Sequence, residues 1–229
     1  MALLNKIGQV LTTDLTKDFK FPKKSKAVEN LEFTFVEKLK KCRGTYQLGK
    51  RVHYSQAYLT ELIQEAVHSC PSAYNSQSAR IIVLFADSHH QFWNIVKDIQ
   101  RQHVPASVYE GIRIKLDQCA NAYGTILFYE DQCAIQQLQK KIPFSADDFP
   151  LWSEQTSGMV QFAAWTALAD SGLGASLQHY NAQINHPVAE HFKIDENWLL
   201  RAQVCFGSIE EAIEDKIESV NPDSFQVFS

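Results

Sequence analysis

Residues 149–181, FPLWSEQTSGMVQFAAWTALADSGLGASLQHYN, decide the fold. The run from Ser153 to Asp170 predicts a long, mostly apolar helix. Gly172 supplies its stop, because glycine enters the left-handed conformation that commonly ends a helix. Gly174 to Tyr180 should leave that stop as a strand or strand-like turn. Ahead of the helix, Lys141 to Leu151 contains two prolines and reads as a loop.

Working outward, the pattern from Val28 to Lys41 predicts a helix. A second helix should begin near Ser55, since Leu59, Leu62, Ile63, Ala66 and Val67 form one apolar stripe. It must stop before Pro71. Arg80 to Phe85 is a β-branched apolar run and reads as a buried strand. Ser88 is placed to cap the next helix, in which Phe92, Ile95, Val96 and Ile99 recur at helical spacing. Ala106 to Ala122 predicts another helix, Thr125 to Tyr129 a strand, and Leu200 to Phe206 a last strand before an irregular tail with Pro222. Helices and strands mix without a βαβ rhythm, which favours the α+β class. The chain divides into an N-terminal arm over residues 1–27, ending in the basic run Phe21 to Lys26, and a folded domain over 28–229.

A chain of 229 residues with 45% hydrophobic and 21% charged residues can bury one large core and matches neither a disordered nor a fibrous composition. Its net charge of -4 supplies no general basic field, which argues against nucleic acid as a partner. Met1 to Leu11 is interrupted by Asn5, Lys6 and Gln9 and is no signal peptide, and no run reaches the roughly 20 apolar residues of a membrane span. Cys42, Cys70, Cys119, Cys133 and Cys205 form no C-x-x-C pair and read as reduced thiols of a cytoplasmic protein.

Three stretches together resemble the nitroreductase-like flavoproteins, and in particular their fatty-acid-repression-mutant branch. The first is Phe149 to Met159 continuing through Gly172 to Asn181. The second is Pro71-Ser72-Ala73-Tyr74-Asn75-Ser76-Gln77, similar to the family's P-S-x-x-N-x-Q segment. The third is Cys42-Arg43-Gly44-Thr45-Tyr46, in the place of the family's early R-R-[ST] motif. There Arg43 matches, while Cys42 stands for an arginine and Gly44 for a hydroxyl residue. Near the C-terminus Lys216 aligns with a family lysine and Ser224 falls where the branch has arginine.

The resemblance implies an α+β fold with a mostly antiparallel central sheet flanked by helices, a homodimer, and FMN in a cleft at the subunit interface. It assigns Pro71, Ser72, Asn75 and Gln77 to the flavin ring and ribityl chain. Short hydroxyl and amide side chains suit that task because they pair with both acceptors and donors. Arg43, Gly44, Tyr46 and Lys216 are assigned to the phosphate end, which is normally met by several charge-assisted hydrogen bonds. Leu177, Gln178 and His179 are expected at the reactive face, and Phe144, Phe149, Trp152 and Tyr180 as walls of a pocket for flat acceptors. The implied reaction passes hydride from NAD(P)H through FMN to a nitroaromatic or quinone, in ping-pong order. Because Cys42, Gly44 and Ser224 thin the phosphate contacts, a non-catalytic or regulatory small-molecule-binding protein on the same scaffold is the alternative.

Other readings are weaker. His89-His90 reads as a pair of solvated helix-cap histidines. His186, Glu190 and His191 match neither H-E-x-x-H nor H-x-x-E-H, so no metal is assigned. Cys70 carries no nucleophile signature. Asp147-Asp148 reads as a solvated loop.

Overall fold

In a computed structural model, the structure describes residues 34–211 and 224–228. The arm over 1–27, the first part of the helix expected from Val28, and Lys216 lie outside the described residues.

The described part of that first helix is α1, Thr34–Lys40. A short strand β1, Leu48–Gly49, leads to α2, Gln56–His68. Ser55 caps α2, its hydroxyl oxygen accepting from the Tyr58 N–H, and the apolar stripe drives Leu59 and Ile63 into the core. Strand β2, Ala79–Phe85, passes directly into α3, Ala86–His103. Ser88 therefore lies inside α3 and does not cap it. The turn is made at Ala86, whose φ is 46°. Helix α4, Ala106–Ala120, follows, then strand β3, Gly124–Asp131.

Helix α5, Gln132–Lys141, was not expected from sequence. Asp131 caps it through bonds from the Cys133 and Ala134 N–H groups. The expected loop from Lys141 to Leu151 is largely ordered: Pro143–Asp148 is a 3-10 segment, and α6 spans Phe149–Asp170, starting four residues before Ser153. Pro150 is tolerated there because the first helical turn needs no N–H donor. Gly172, at φ 77°, ends the helix region as expected. Strand β4, Gly174–Gln178, precedes a second unforeseen helix α7, Asn181–Phe192, and β5, Trp198–Ile209, closes the sheet.

The sheet runs β1-β5-β3-β2, with β4 also paired to β5, and every strand pair is antiparallel. Alternation along β3 sends Leu127 and Tyr129 to one face and Ile126 and Phe128 to the other. The first face packs on Phe92, Trp93 and Val96 of α3, Leu116 of α4 and Ile184 and Val188 of α7. The second packs on Leu59 and Ile63 of α2 and Val160, Ala164 and Leu168 of α6. Both faces are covered, which is why β3 reads as an unbroken apolar run.

His89 is a correction to the sequence reading: it is buried, not solvated. Its Nδ1 lies 2.9 Å from Thr125 Oγ1 and its Nε2 3.2 Å from the Ala120 carbonyl. The Ala120 carbonyl can only accept, so the neutral ring carries its N–H on Nε2, and Nδ1 accepts from the Thr125 hydroxyl, whose oxygen accepts from Trp93 Nε1. Burial holds this imidazole neutral and lowers its pKa to about 4.

Candidate functional site

The helix α2 ends at His68, and the chain then turns through residues 71–78 before entering β2. This loop, the last turn of α2 and the middle of α6 enclose a cleft of about 510 Å³. Ser72, Asn75 and Gln77 line it, together with Val67, Arg80, Thr156 and Val160. Of the expected ring contacts only Pro71 is absent from its lining. Cys70 also reaches it, but its sulfur is directed at the Ala66 and Met159 carbonyls, and burial pushes its thiol up, away from a nucleophilic thiolate.

The loop holds a demanding backbone. Tyr74, Asn75 and Gln77 have φ of 53°, 53° and 46°. For a residue with a side chain that region costs roughly 1–2 kcal/mol, less for asparagine. Local bonds fix part of the shape: the Asn75 N–H donates to the Ser72 carbonyl, the Ser76 N–H to the Ala73 carbonyl, and the Gln77 N–H to Ser72 Oγ.

Aromatic packing supports the loop from α6. Tyr74 stacks on Trp152 with ring centroids 5.7 Å apart, and Phe149 meets Trp152 edge-on at 5.2 Å. Phe149 is 3% exposed and acts as the anchor of this group, whereas Phe144 is 85% exposed and stands apart from it. None of Phe144, Phe149, Trp152 and Tyr180 lines the cleft. Tyr180 packs edge-on against Trp93, and its backbone N–H donates to Gln203 Oε1. Burial pushes its phenol up to about 12. The structure thus places Phe149 and Tyr180 among packing residues.

The other expected contacts gather elsewhere. Gly44 bridges Ala175 of β4 in parallel, and the Thr45 N–H donates to the Ala175 carbonyl. This brings Arg43, Gly44 and the exposed Tyr46 to the edge of the strand that ends in Leu177 and Gln178, with the exposed His179 directly after it. A Cβ built on Gly44 would meet nothing nearer than the Tyr46 hydroxyl at 4.0 Å, so the position has room for a side chain. Cys42 turns toward α6, with its sulfur 3.6 Å from Thr166 Oγ1. Burial raises this thiol, against smaller lowering effects from Thr166 and Arg43. Ser224 is exposed.

No residue of 42–46 or 174–180 lines the cleft. Along α6, Thr156 in the cleft and Thr166 beside Cys42 are ten residues apart, roughly 15 Å at the helical rise. One chain therefore carries the expected cofactor residues in two separate groups.

Sequence reading missed Glu130, Arg80 and Asp131, which secure the loop from beneath. Glu130 Oε2 accepts from Ser78 Oγ and from Ser153 Oγ, both at 2.6 Å. Arg80 donates to the Gln77 carbonyl at 2.7 Å and pairs with Asp131 at 2.8 Å. Glu130 and Asp131 fall just past the strand expected over Thr125 to Tyr129, so no local signal marked them.

Comparison with known proteins matches residues 54–208 to the nitroreductase family. Nitroreductase FRM2 of Saccharomyces cerevisiae is 32% identical over 149 residues, covering 63% of this chain and 73% of its own. The structure of nitroreductase CinD from Lactococcus lactis, in complexes with chloramphenicol, 4-nitrophenol and nicotinic acid, is 40% identical. It superposes with a TM-score of 0.77 in the chloramphenicol complex, covering 85% of this chain and all of CinD. A Desulfovibrio desulfuricans protein in complex with FMN shares the fold at 18% identity and a TM-score of 0.59, covering 84% of this chain and all of its own.

Proposed function

The chain belongs to the nitroreductase family, and on that premise we propose that it is an FMN-dependent oxidoreductase passing hydride from NAD(P)H to nitroaromatic or quinone-type acceptors. The cleft under residues 71–78 carries this reading. Its volume lies in the range of roughly 300–1,000 Å³ typical of cofactor sites. The Ser72 hydroxyl and the Asn75 and Gln77 amides present donors and acceptors in the mixture that an isoalloxazine edge requires, and Val67 and Val160 supply apolar surface for its face. The donor set fits the cofactor.

Bound FMN would supply the two-electron chemistry, leaving binding, orientation and electrostatics to the protein. Ser72, Asn75 and Gln77 orient the ring, with Pro71 fixing the start of their loop. Arg43 and the backbone at Gly44, with Tyr46 beside them, receive the phosphate, and Lys216 adds a cation. Leu177, Gln178 and His179 face the reacting edge. Trp152 and the exposed Phe144 remain candidate walls for the acceptor.

The separation of the two groups supports a homodimer in which one protomer's loop completes the site begun by its partner's Arg43 edge. The CinD complexes support flat aromatic substrates, since two of those ligands are nitroaromatics and nicotinic acid shares its pyridine ring with nicotinamide. Ligands of both kinds using one pocket in turn give ping-pong kinetics.

Titration with FMN, followed by visible absorption on adding NADH or NADPH and then 4-nitrophenol, tests the proposal. The expected result is a yellow protein that bleaches with reduced nicotinamide and recovers with the acceptor. A colourless protein that takes up no added FMN leaves the non-catalytic binding role in its place.

A further inference from the structure

The strained backbone at Tyr74, Asn75 and Gln77 persists only if its surroundings over-determine it. Its three internal hydrogen bonds fix the turn upon itself but do not tie it to the sheet. That tie comes from two consecutive residues of β3. Glu130 is fully buried, and its Oε2 accepts from Ser78 Oγ at the loop's end and from Ser153 Oγ on α6, at the short distances of charge-assisted bonds. Asp131, facing the other side of the sheet by strand alternation, holds Arg80, which donates to the Gln77 carbonyl. The Asp131 N–H donates to the Ser78 carbonyl as well.

Glu130 is poorly explained as a device for stability. Its Oε1 is buried and, among the described residues, has no hydrogen-bond partner. Burial pushes its carboxyl up, opposed by the two serine hydroxyls and by Arg201, while Glu154 adds to the rise. Burying a carboxylate with half its acceptors unused is unfavourable unless it secures something specific.

We propose that Glu130 is the positioning residue of the flavin loop: it grips Ser78 from one face of the sheet while Asp131 and Arg80 grip Gln77 from the other, fixing the left-handed backbone before any cofactor arrives. The consequence for FMN rests on the function proposed above; the clamp itself does not.

Amide hydrogen exchange on the full-length, flavin-free protein tests it. Ser78→Ala and Glu130→Leu should each speed exchange at Asn75, Ser76 and Gln77 by about tenfold or more, the factor one hydrogen bond to a charged group is worth. Strands β3 and β5 should stay protected. Glu130→Gln keeps an oxygen acceptor but loses the charge and should fall between wild type and Glu130→Leu, while Ser153→Ala, which leaves the Ser78 bond in place, should hold the rate within about threefold of wild type. Dissociation constants for FMN should rise in the same order. Unchanged exchange in Ser78→Ala, or equal loosening by Ser78→Ala and Ser153→Ala, overturns the clamp. Should Glu130→Leu fail to fold, Ser78→Ala decides alone. If the wild-type protein takes up no FMN, the flavin reading falls and the exchange result still judges the clamp.

Discussion

The two regions assigned to the cofactor are built by opposite means. Residues 42–46 join the sheet through backbone, by the Gly44 bridge and the Thr45 bond to Ala175. Residues 71–78 are held by side chains: Glu130 and Arg80 beneath, Tyr74 on Trp152 above. Backbone pairing tolerates a change of residue; a clamped, strained loop does not. This difference accounts for where the chain departs from its family resemblance. Cys42 and Gly44 lie in the tolerant region, whereas the Pro71–Gln77 segment keeps the full pattern.

The largest effect expected from this contrast is at Phe149. Truncating it to alanine removes the buried ring under Trp152 and should cost about 3–5 kcal/mol, read from urea unfolding. A loss below about 1 kcal/mol would mean that the loop does not depend on packing.

The pH dependence sharpens the contrast, because buried side chains titrate and backbone pairing does not. His89 has a folded pKa of about 4 against 6.5 when unfolded. Its contribution is therefore present above pH 6.5 and lost as pH falls toward 4, about 3 kcal/mol in all. Glu130 acts in the opposite sense. With its carboxyl raised by burial, its contribution is present below the ordinary carboxylate range and lost as pH rises through its folded value. Unfolding midpoints at pH 7 and pH 4.5 should show a net acid loss in the wild type and a smaller one in His89→Gln. An equal loss in both would remove His89 from the account.

The smallest effect on stability is expected at Gly44. Serine there should change stability by less than about 0.5 kcal/mol, since its Cβ meets open space. The added hydroxyl should tighten FMN by up to about tenfold if this edge receives the phosphate. Unchanged affinity in the flavin titration would detach Gly44 from the site.

Much of this was legible in sequence. The Ser55 cap, the stripe of α2, the runs of β2 and β3 and the Gly172 stop are local signals, and local signals set those elements. Helix α5 was hidden because QCAIQQLQKK is largely polar and buries only Ile135. Helix α7 was hidden by Pro187 in its interior and by the lack of a capping side chain. Ser72, Asn75 and Gln77 share a cleft because they share one short loop. Glu130 was invisible for the contrary reason. Beside Asp131 it reads as the solvated end of a strand, and only Ser78 and Ser153, 52 and 23 residues away, make it a buried acceptor. Phe144 and Phe149 look alike in sequence, but Phe144 lies in the 3-10 segment and faces solvent while Phe149 begins α6 and enters the core.

The claim on which the rest depends is that two chains each contribute one group to a site. Arg43→Ala and Asn75→Ala should each abolish tight FMN uptake. Refolded together as an equal mixture, they should regain FMN at about a quarter of wild-type sites, because half the dimers are mixed and each mixed dimer has one intact site. Uptake by the mixture no greater than that of either variant alone would contradict the account and place the whole site within a single chain.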